Sequence, residues 1–506
     1  MNPAAREAAA RCLVILLSTL LAASGVGCKR DNPYYCENPV HTDCIGSDAA
    51  QDATPDSLPR CNTNQECSGD TSVCDLDVTR MCVRCTATDR QACVGAMPAC
   101  SNDHVCVGCS AHDQCNSKAC LPDGSCGDDV NVAYVDAAGS GSACTSEFPC
   151  KRVADGLATN RPYVKLQGTT DEAVTIDNGR VVTFLADPGA KLVRTTGGAL
   201  LEVYAASHVT IYDLEISGAS GSNGPGISIP PSSNSTVELI RSTVRGTTTG
   251  AGIAIFGNGS VVLTDSRVID NSGGGILAAG TGAVSCARSE ISDNGGDGIT
   301  SPAGGTVSVT RSKIADNLGV GVVVPGGVVT VTQSTVRGNS RGGVDVTNAE
   351  YRLSNNLLVR NGTPTSLFGG VRISQIGTVG THVFEFNTMA LNTMSPGGAA
   401  GVICNAVTAP LAFTNSIVYG NGLGSQVDGA NCNWSYSNVG PSSLPGASII
   451  ASDPLFVAPS EDNFQLQATS PDRDAADPAA TLEVDIDGTS RPQGARRDMG
   501  AVEMMP

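Results

Sequence analysis

A phrase of some 23 residues recurs through the middle of the chain and leaves few folds open to it. It reads Ser-x-apolar-x-x-Asn-x-x-x-Gly-Ile/Val, first as Ser266, Val268, Asn271 and Gly275-Ile276. It returns at Ser289, Ile291, Asn294 and Gly298-Ile299, at Ser312, Ile314, Asn317 and Gly321-Val322, and at Ser334, Val336, Asn339 and Gly343-Val344. Successive serines are 23, 23 and 22 residues apart. A fixed period of this length predicts a solenoid, in which each repeat buries its apolar face against its neighbours. The phrase describes stacking, not chemistry.

Numbering each repeat from its serine as zero exposes three apolar columns. Position -5 holds Val237, Val261, Val284, Val307, Val329 and Tyr351; position -3 holds Leu239, Leu263, Cys286, Val309, Val331 and Leu353. Position +2 holds Val244, Val268, Ile291, Ile314, Val336, Leu358, Met389 and Val418. The spacing of two puts -5 and -3 on the inward face of one strand, and stacking at ~4.8 Å turns each column into a continuous ladder. Parallel strands joined by crossovers take a right-handed path. The fold class is therefore all-β, a right-handed single-stranded parallel β-helix, and Cys286 reads as an unpaired core residue. Asn271, Asn294, Asn317, Asn339 and Asn361 recur at +5, with Asn392 and Asn421 in longer repeats. Asn tolerates a left-handed turn and its amide can bond the next repeat, so the column reads as an asparagine ladder. It resembles the turn ladders of pectate-lyase-like β-helices. The glycines at +9 close the turn, where positive φ or close backbone approach is needed.

Outward columns carry the charge. Position +1 holds Arg267, Glu290 and Lys313; position -1 holds Arg241, Asp265, Arg288, Arg311 and Gln333. Opposite signs one repeat apart can pair. Position +4 holds Asp270, Asp293 and Asp316, three stacked acids that are either solvated turn residues or a calcium site, since calcium takes several carboxylate oxygens. Later repeats lengthen, placing loops at 362–367 and 422–431, where a rigid scaffold usually grows its binding sites. Cys404 and Cys432 could bridge two such loops.

The chain has 21 cysteines, dense between Cys36 and Cys150. Arg6 and Arg11 precede an apolar run from Leu13 to Ala23. This predicts an export signal over 1–27, too short an apolar run for a good membrane span. Gly25-Val26-Gly27-Cys28 resembles a bacterial lipobox, with Gly25 where leucine is usual. The resemblance implies lipidation of Cys28 and a membrane partner, with simple cleavage near Gly27 as the alternative. Residues 28–60 read as a flexible tether in which Cys36 and Cys44 could pair. Over 61–126 there are three four-cysteine units: Cys61, Cys67, Cys74, Cys82; Cys85, Cys93, Cys100, Cys106; and Cys109, Cys115, Cys120, Cys126. Exported chains of this density use disulfides in place of a core. Four cysteines allow three pairings, and the C-x-x-C pairs straddling unit boundaries favour bridges that join neighbours. The same pairs imitate zinc knuckles, though an oxidising compartment disfavours zinc. From 131 the period-2 pattern begins, giving a β-helix over 131–452 with its first strand at Val132–Asp136, a Cys144–Cys150 loop and a capping helix over 151–158.

Residues 453–506 change texture and read as a capping segment. Asp453-Pro-Leu-Phe456, Ser470-Pro471, Asp485-x-Asp487-Gly488-x-x-Arg491-Pro492 and Asp498-x-Gly500-Ala501-x-Glu503 follow in order. The set resembles the C-terminal part of secreted bacterial β-helix proteins of the choice-of-anchor Q type, which implies a place at the cell surface more than an activity. Glu483, Asp485 and Asp487 also imitate the start of a calcium loop, without its closing acid.

The net charge is -18. Residues 29–130 carry 16 acids against 7 bases, and residues 453–503 carry 11 against 4. No basic field exists for nucleic acid. The reading that follows is a noncatalytic outer-membrane or cell-surface lipoprotein, using a β-helix for binding or adhesion, to a glycan or a surface protein. No cofactor is expected beyond calcium. The alternative is a polysaccharide lyase or glycoside hydrolase, which needs acids and an Arg or Lys base to converge in a walled groove.

Overall fold

The computed structural model describes residues 60–505 apart from 195–196, 219–223, 377–379, 406–409, 423–424 and 442–443. The signal 1–27, Cys28, Cys36, Cys44 and nearly all of the 28–60 tether lie outside the described residues.

The described residues form two compact units. The smaller combines 60–66 with 74–82 and is closed by the Cys61–Cys74 disulfide. Its buried carboxylate, Asp75, accepts the N–H and hydroxyl of Thr79 at 2.9 and 2.8 Å. With so little apolar surface, the bridge does the work of a core.

The larger unit takes 67–73 and everything from 83 onward. Its cysteine-rich part is bonded Cys85–Cys100, Cys93–Cys106, Cys109–Cys120 and Cys115–Cys126. First pairs with third and second with fourth, so the expected bridges between neighbouring units are not made. The Cα separations of 5.3–5.8 Å suit disulfides within each unit. Sulfurs spent in this way are not the thiolates zinc requires. Cys144–Cys150 is also bonded. Ala119 and Leu121 pack on Val132, Tyr134 and Tyr163, seating the last cysteine stretch on the first strands of the solenoid.

Three parallel sheets of 13, 12 and 11 strands run side by side through the rest. The first contains Val132–Asp136, Thr236–Ile240, Ser260–Thr264 and Ala283–Ala287; the second contains Arg267–Ile269 and Glu290–Ser292; the third contains Ile276–Ala278. One turn of chain visits each sheet once, and its strands pair with those of the next turn. All residues of the -5, -3 and +2 columns are at most 1% exposed. Each side chain so buried contributes roughly 1.5–3 kcal/mol, and Cys286 among them is free, its thiol pushed up to about 12 by burial. Val153–Ala158 is a helix whose Val153 and Leu157 enter the same core.

The corners carry two ladders of side chains. At the second corner, the N–H of Asn271 donates to Asn294 Oδ1 at 3.1 Å and that of Asn294 to Asn317 Oδ1 at 3.1 Å, and so on through Asn339, Asn361 and Asn392. Asn421, the last, donates to Gln426 Oε1 of its own turn. At the first corner serine does the same: the N–H of Ser266 donates to Ser289 Oγ, Ser289 to Ser312 Oγ, and Ser312 to Ser334 Oγ, at 3.0–3.1 Å. The left-handed residue is not the asparagine but the one before it: Asp270, Asp293 and Asp316 have φ of 54°, 57° and 56°. Asp tolerates that conformation, which explains its recurrence at +4. The +9 glycines have no positive φ. A Cβ on Gly275 would meet Ile291 Cγ2 at 2.5 Å and the Gly298 carbonyl at 2.6 Å, so close approach selects glycine there.

Cys404 and Cys432 are bonded, but from strands Val402–Asn405 and Cys432–Ser435. Both are buried in the core and carried by strands rather than loops. Trp434 is likewise inside, tilted against Phe413 with ring centroids 4.8 Å apart.

Candidate functional site

The residue before each rung of the serine ladder, Leu214 standing at its first rung, forms a column of its own. Asp213, Arg241, Asp265, Arg288, Arg311 and Gln333 follow successive strands of the first sheet, one turn apart. Their φ values are 59°, 50°, 51°, 49°, 48° and 48°. Left-handed backbone costs a residue with a Cβ of order 1–2 kcal/mol, less for Asp or Asn. Arg and Gln are not the residues this conformation prefers, so the reason for them lies in their side chains. Arg241 clamps Asp213 with two bonds of 2.7 Å, and Arg288 clamps Asp265 at 2.8 and 2.9 Å. Among the described residues the Arg311 side chain bonds only the amide oxygen of Gln333, at 3.3 Å. Alongside, Glu290 bridges Arg267 at 3.0 Å and Lys313 at 2.9 Å.

Two clefts lie end to end on this column. The first, about 1000 Å³, is formed between residues 109–122 and the outer face of the first sheet, and reaches Tyr212, Asp213 and Arg241. The second, about 1100 Å³, begins one turn later at Asp265, takes in Arg267, Arg288, Glu290, Arg311 and Lys313, and ends against Ile486, Asp487 and Gly488. There the C-terminal segment closes the column: Gln333 Nε2 donates to the Asp485 carbonyl at 3.0 Å and Asn355 Nδ2 to the Val484 carbonyl at 3.1 Å. Five turn-to-turn steps separate Asp213 from Gln333, about 24 Å at roughly 4.8 Å each. The two clefts thus follow one another along the column, one bounded by residues 109–122 and the other by 486–488.

The Arg288 hydrogen bond holds the Asp265 carboxyl below its usual range, and the Asp265 bond in turn raises Arg288. Burial works against ionisation of Glu290, but Lys313 and Arg267 together hold it low. Both acids thus stay ionised as acceptors and have no proton to give. Asp487 at the far wall is the exception, raised by burial and then by neighbouring Asp485.

The acids singled out from sequence for calcium are placed elsewhere. Asp270, Asp293 and Asp316 line a separate, shallower cleft of about 460 Å³ on the next corner, away from the arginines. Among the described residues the acidic side chains of neither trio gather three ligand atoms within 4.8 Å of one another. Asp485 is buried; its Oδ1 accepts the N–H groups of Asp487 and Thr489 at 2.9 and 2.7 Å, and its Oδ2 that of Glu503 at 3.0 Å. It is a turn and docking residue. Sequence reasoning recognised the -1 and +1 columns as outward and the +1 column as paired. It missed Asp213, Tyr212 and the 109–122 and 484–488 walls, because the walls come from segments far away in sequence and Tyr212 lies in a turn that precedes the regular phrase.

The family model described as a right-handed beta helix region matches residues 198–363, the span that carries the groove column. No curated protein is significantly similar to the chain. Among solved structures, pectate lyase Pel9A is similar at 14% identity and a TM-score of 0.34, over 74% of this chain and 96% of that one. The Dettilon tailspike protein (gp208) is similar at 14% identity and a TM-score of 0.27, over 64% of this chain and 69% of the other.

Proposed function

We propose that this chain is an exported, noncatalytic β-helix protein that binds a linear glycan along the Asp213–Gln333 groove. The observation that carries the reading is the state of the groove's charges: its central acids are pinned as carboxylates by arginine and lysine. Paired planar groups of this kind offer fixed donors and acceptors to hydroxyls, whereas general acid catalysis needs a carboxyl kept protonated. The turn spacing also matches the scale of an extended sugar repeat. Every described cysteine except Cys286 is disulfide-bonded, which fits an oxidising compartment outside the cytoplasm. No helix of the described residues is long and apolar enough to cross a membrane; attachment through a lipid on Cys28 belongs to the same proposal.

The test is glycan-array binding by the full chain, with and without calcium. Binding that falls severalfold in Arg311→Ala and is indifferent to calcium supports the reading; a wild-type chain that binds no glycan rejects it. Continued membrane attachment of Cys28→Ala rejects the lipid. A lyase or hydrolase remains the second reading because Asp487, an acid raised by burial, sits in the same cleft as Arg311 and Lys313. New reducing ends or unsaturated products released by wild type and not by Asp487→Asn would favour it.

A further inference from the structure

We propose that the end of the groove beneath residues 109–122 is a terminal subsite, in which the last, uncharged sugar ring of the bound chain lies on Tyr212. The inference rests on the glycan reading above and adds to it a ligand part and a direction. It starts from the outer face of the first sheet. Strand register lines up Leu185, Tyr212 and Ile240. The same line continues through Thr264, Ala287, Thr310 and Thr332. Along this line the outer face is apolar at Leu185, Tyr212 and Ile240 and small or hydroxylic from Thr264 to Thr332.

That apolar end is also a dead end. Tyr212 is partly exposed, Leu185 beside it is 2% exposed, and Lys165, next in line, is 0% exposed and paired with Asp187. The overhang that covers them is rigid. Cys109–Cys120 and Cys115–Cys126 tie it, His112 Nδ1 accepts the Cys120 N–H at 3.0 Å, and Ala119 and Leu121 are packed on the first strands. A chain running along the column from Gln333 meets this cover one ring beyond Arg241, so what binds there is an end and not a mid-chain unit.

The chemistry of the cleft suits a neutral ring. Tyr212 and Leu185 line it; the Arg241 guanidinium, clamped to Asp213, lies over one face of the Tyr212 ring at 5.6 Å from its centroid, which leaves the other face to a sugar. The cleft is lined by Asp113, Asp187 and Asp213 against Lys118 and Arg241, with Asp213 paired to Arg241 and Asp187 to the buried Lys165, so little unpaired charge faces a ligand. An apolar floor with planar polar groups on its rim matches a pyranose, whose C–H face is apolar and whose edge is hydroxylated.

The experiment uses the full chain and linear hexose oligosaccharides of six to eight units, on the order of the groove length. Each is supplied with both ends free, or tethered through one end or the other. Wild type binds with one particular end free, and tethering through that end lowers affinity at least tenfold. Tyr212→Ala loses at least tenfold and Tyr212→Phe retains binding. Saturation-transfer NMR on wild type, which needs no variant to fold, places the strongest contact on the terminal ring. Binding blind to which end is tethered, or full binding by Tyr212→Ala beside loss in Arg311→Ala, overturns the terminal subsite and leaves the groove intact. A wild-type chain that binds no oligosaccharide overturns both.

Discussion

The same corner of the solenoid is built twice, once open and once covered. From Asp213 to Gln333 the left-handed column faces solvent, and its side chains are Asp, Arg and Gln that bond to one another. From Asn355 onward the same position holds Asn355, Phe386, Asn415 and Tyr436, with φ of 62°, 52°, 54° and 46°, and the C-terminal segment lies on it. Asn415 accepts Gly500 N–H on its carbonyl at 2.8 Å and Asp477 N–H on Oδ1 at 2.7 Å; Arg491 sits 4.9 Å over the Phe386 ring. The backbone does not change between the two stretches, so the side chains report what covers them. Amides and an aromatic ring receive a resident peptide; ion pairs hold their geometry in water until something replaces it. The C-terminal segment finds partners on the column at Gln333, where the open stretch ends, and at Asn355 and Asn415 in the covered half.

The largest way to break that contrast is Arg491→Ala. Arg491 and Glu503 are 0% and 1% exposed and 3.2 Å apart, and Arg491 also donates to the carbonyls of Asp498 and Gly500 at 2.9 and 2.8 Å. Removing one partner of a buried pair costs about 3–5 kcal/mol. Thermal unfolding should show an early transition together with proteolytic cutting of 453–505; a variant that melts with wild type would mean that this network does not hold the segment.

Next comes pH. Burial raises Asp472 to about 7, opposed by the Asn438 amide at 2.8 and 2.9 Å, and burial likewise raises Asp498 and Glu503. An acid whose folded pKa lies above its unfolded one binds more protons when folded. Its contribution is complete below about pH 4 and is lost as pH rises through about 7. The covered stretch should therefore lose stability between pH 4 and 8, by at most about 4 kcal/mol from Asp472. Hydrogen exchange of 470–503 at pH 5 and pH 8 reads this, and Asp472→Asn should flatten it. The open column, whose Asp265 and Glu290 are shifted downward, should show the opposite slope only at lower pH.

A paired comparison follows. Ser312→Ala beneath the open stretch orphans the Ser289 N–H, and Ser416→Ala beneath the covered stretch orphans that of Asn387. Each should cost about 1–2 kcal/mol by chemical denaturation; a much larger loss at Ser416 would mean that the cover and the ladder are coupled. The smallest effect is Glu290→Gln, which removes ion pairs whose basic partners are half exposed and should shift stability by only a few tenths of a kcal/mol, while altering any glycan affinity far more.

The stacked core was legible because its signal is periodic: Val261, Val284 and Val307 repeat at the turn length whatever lies outside. The Asn column is legible for the same reason, although the sequence places the left-handed turn on the asparagine and not on the turn Asp before it. The serine at position zero marked the phrase without revealing its task, because a buried hydroxyl bonding the preceding turn leaves no trace in hydropathy. The groove was half visible. Its edge is a column, but its ends depend on residues 109–122 and 484–488 meeting strands far from them in the chain, and no local pattern encodes such docking. Pairing within the cysteine units was invisible too, since spacing alone permits three patterns.

The two corner ladders also give the solenoid a direction. In each, a turn's backbone N–H is satisfied by a side chain that arrives only with the following turn. The side-chain amides point the other way, each Asn Nδ2 donating to a carbonyl of the preceding turn, so every rung is bonded to both neighbours. The asparagine ladder stops where Gln426 bends back to satisfy Asn421 within a single turn, so it carries its own terminator.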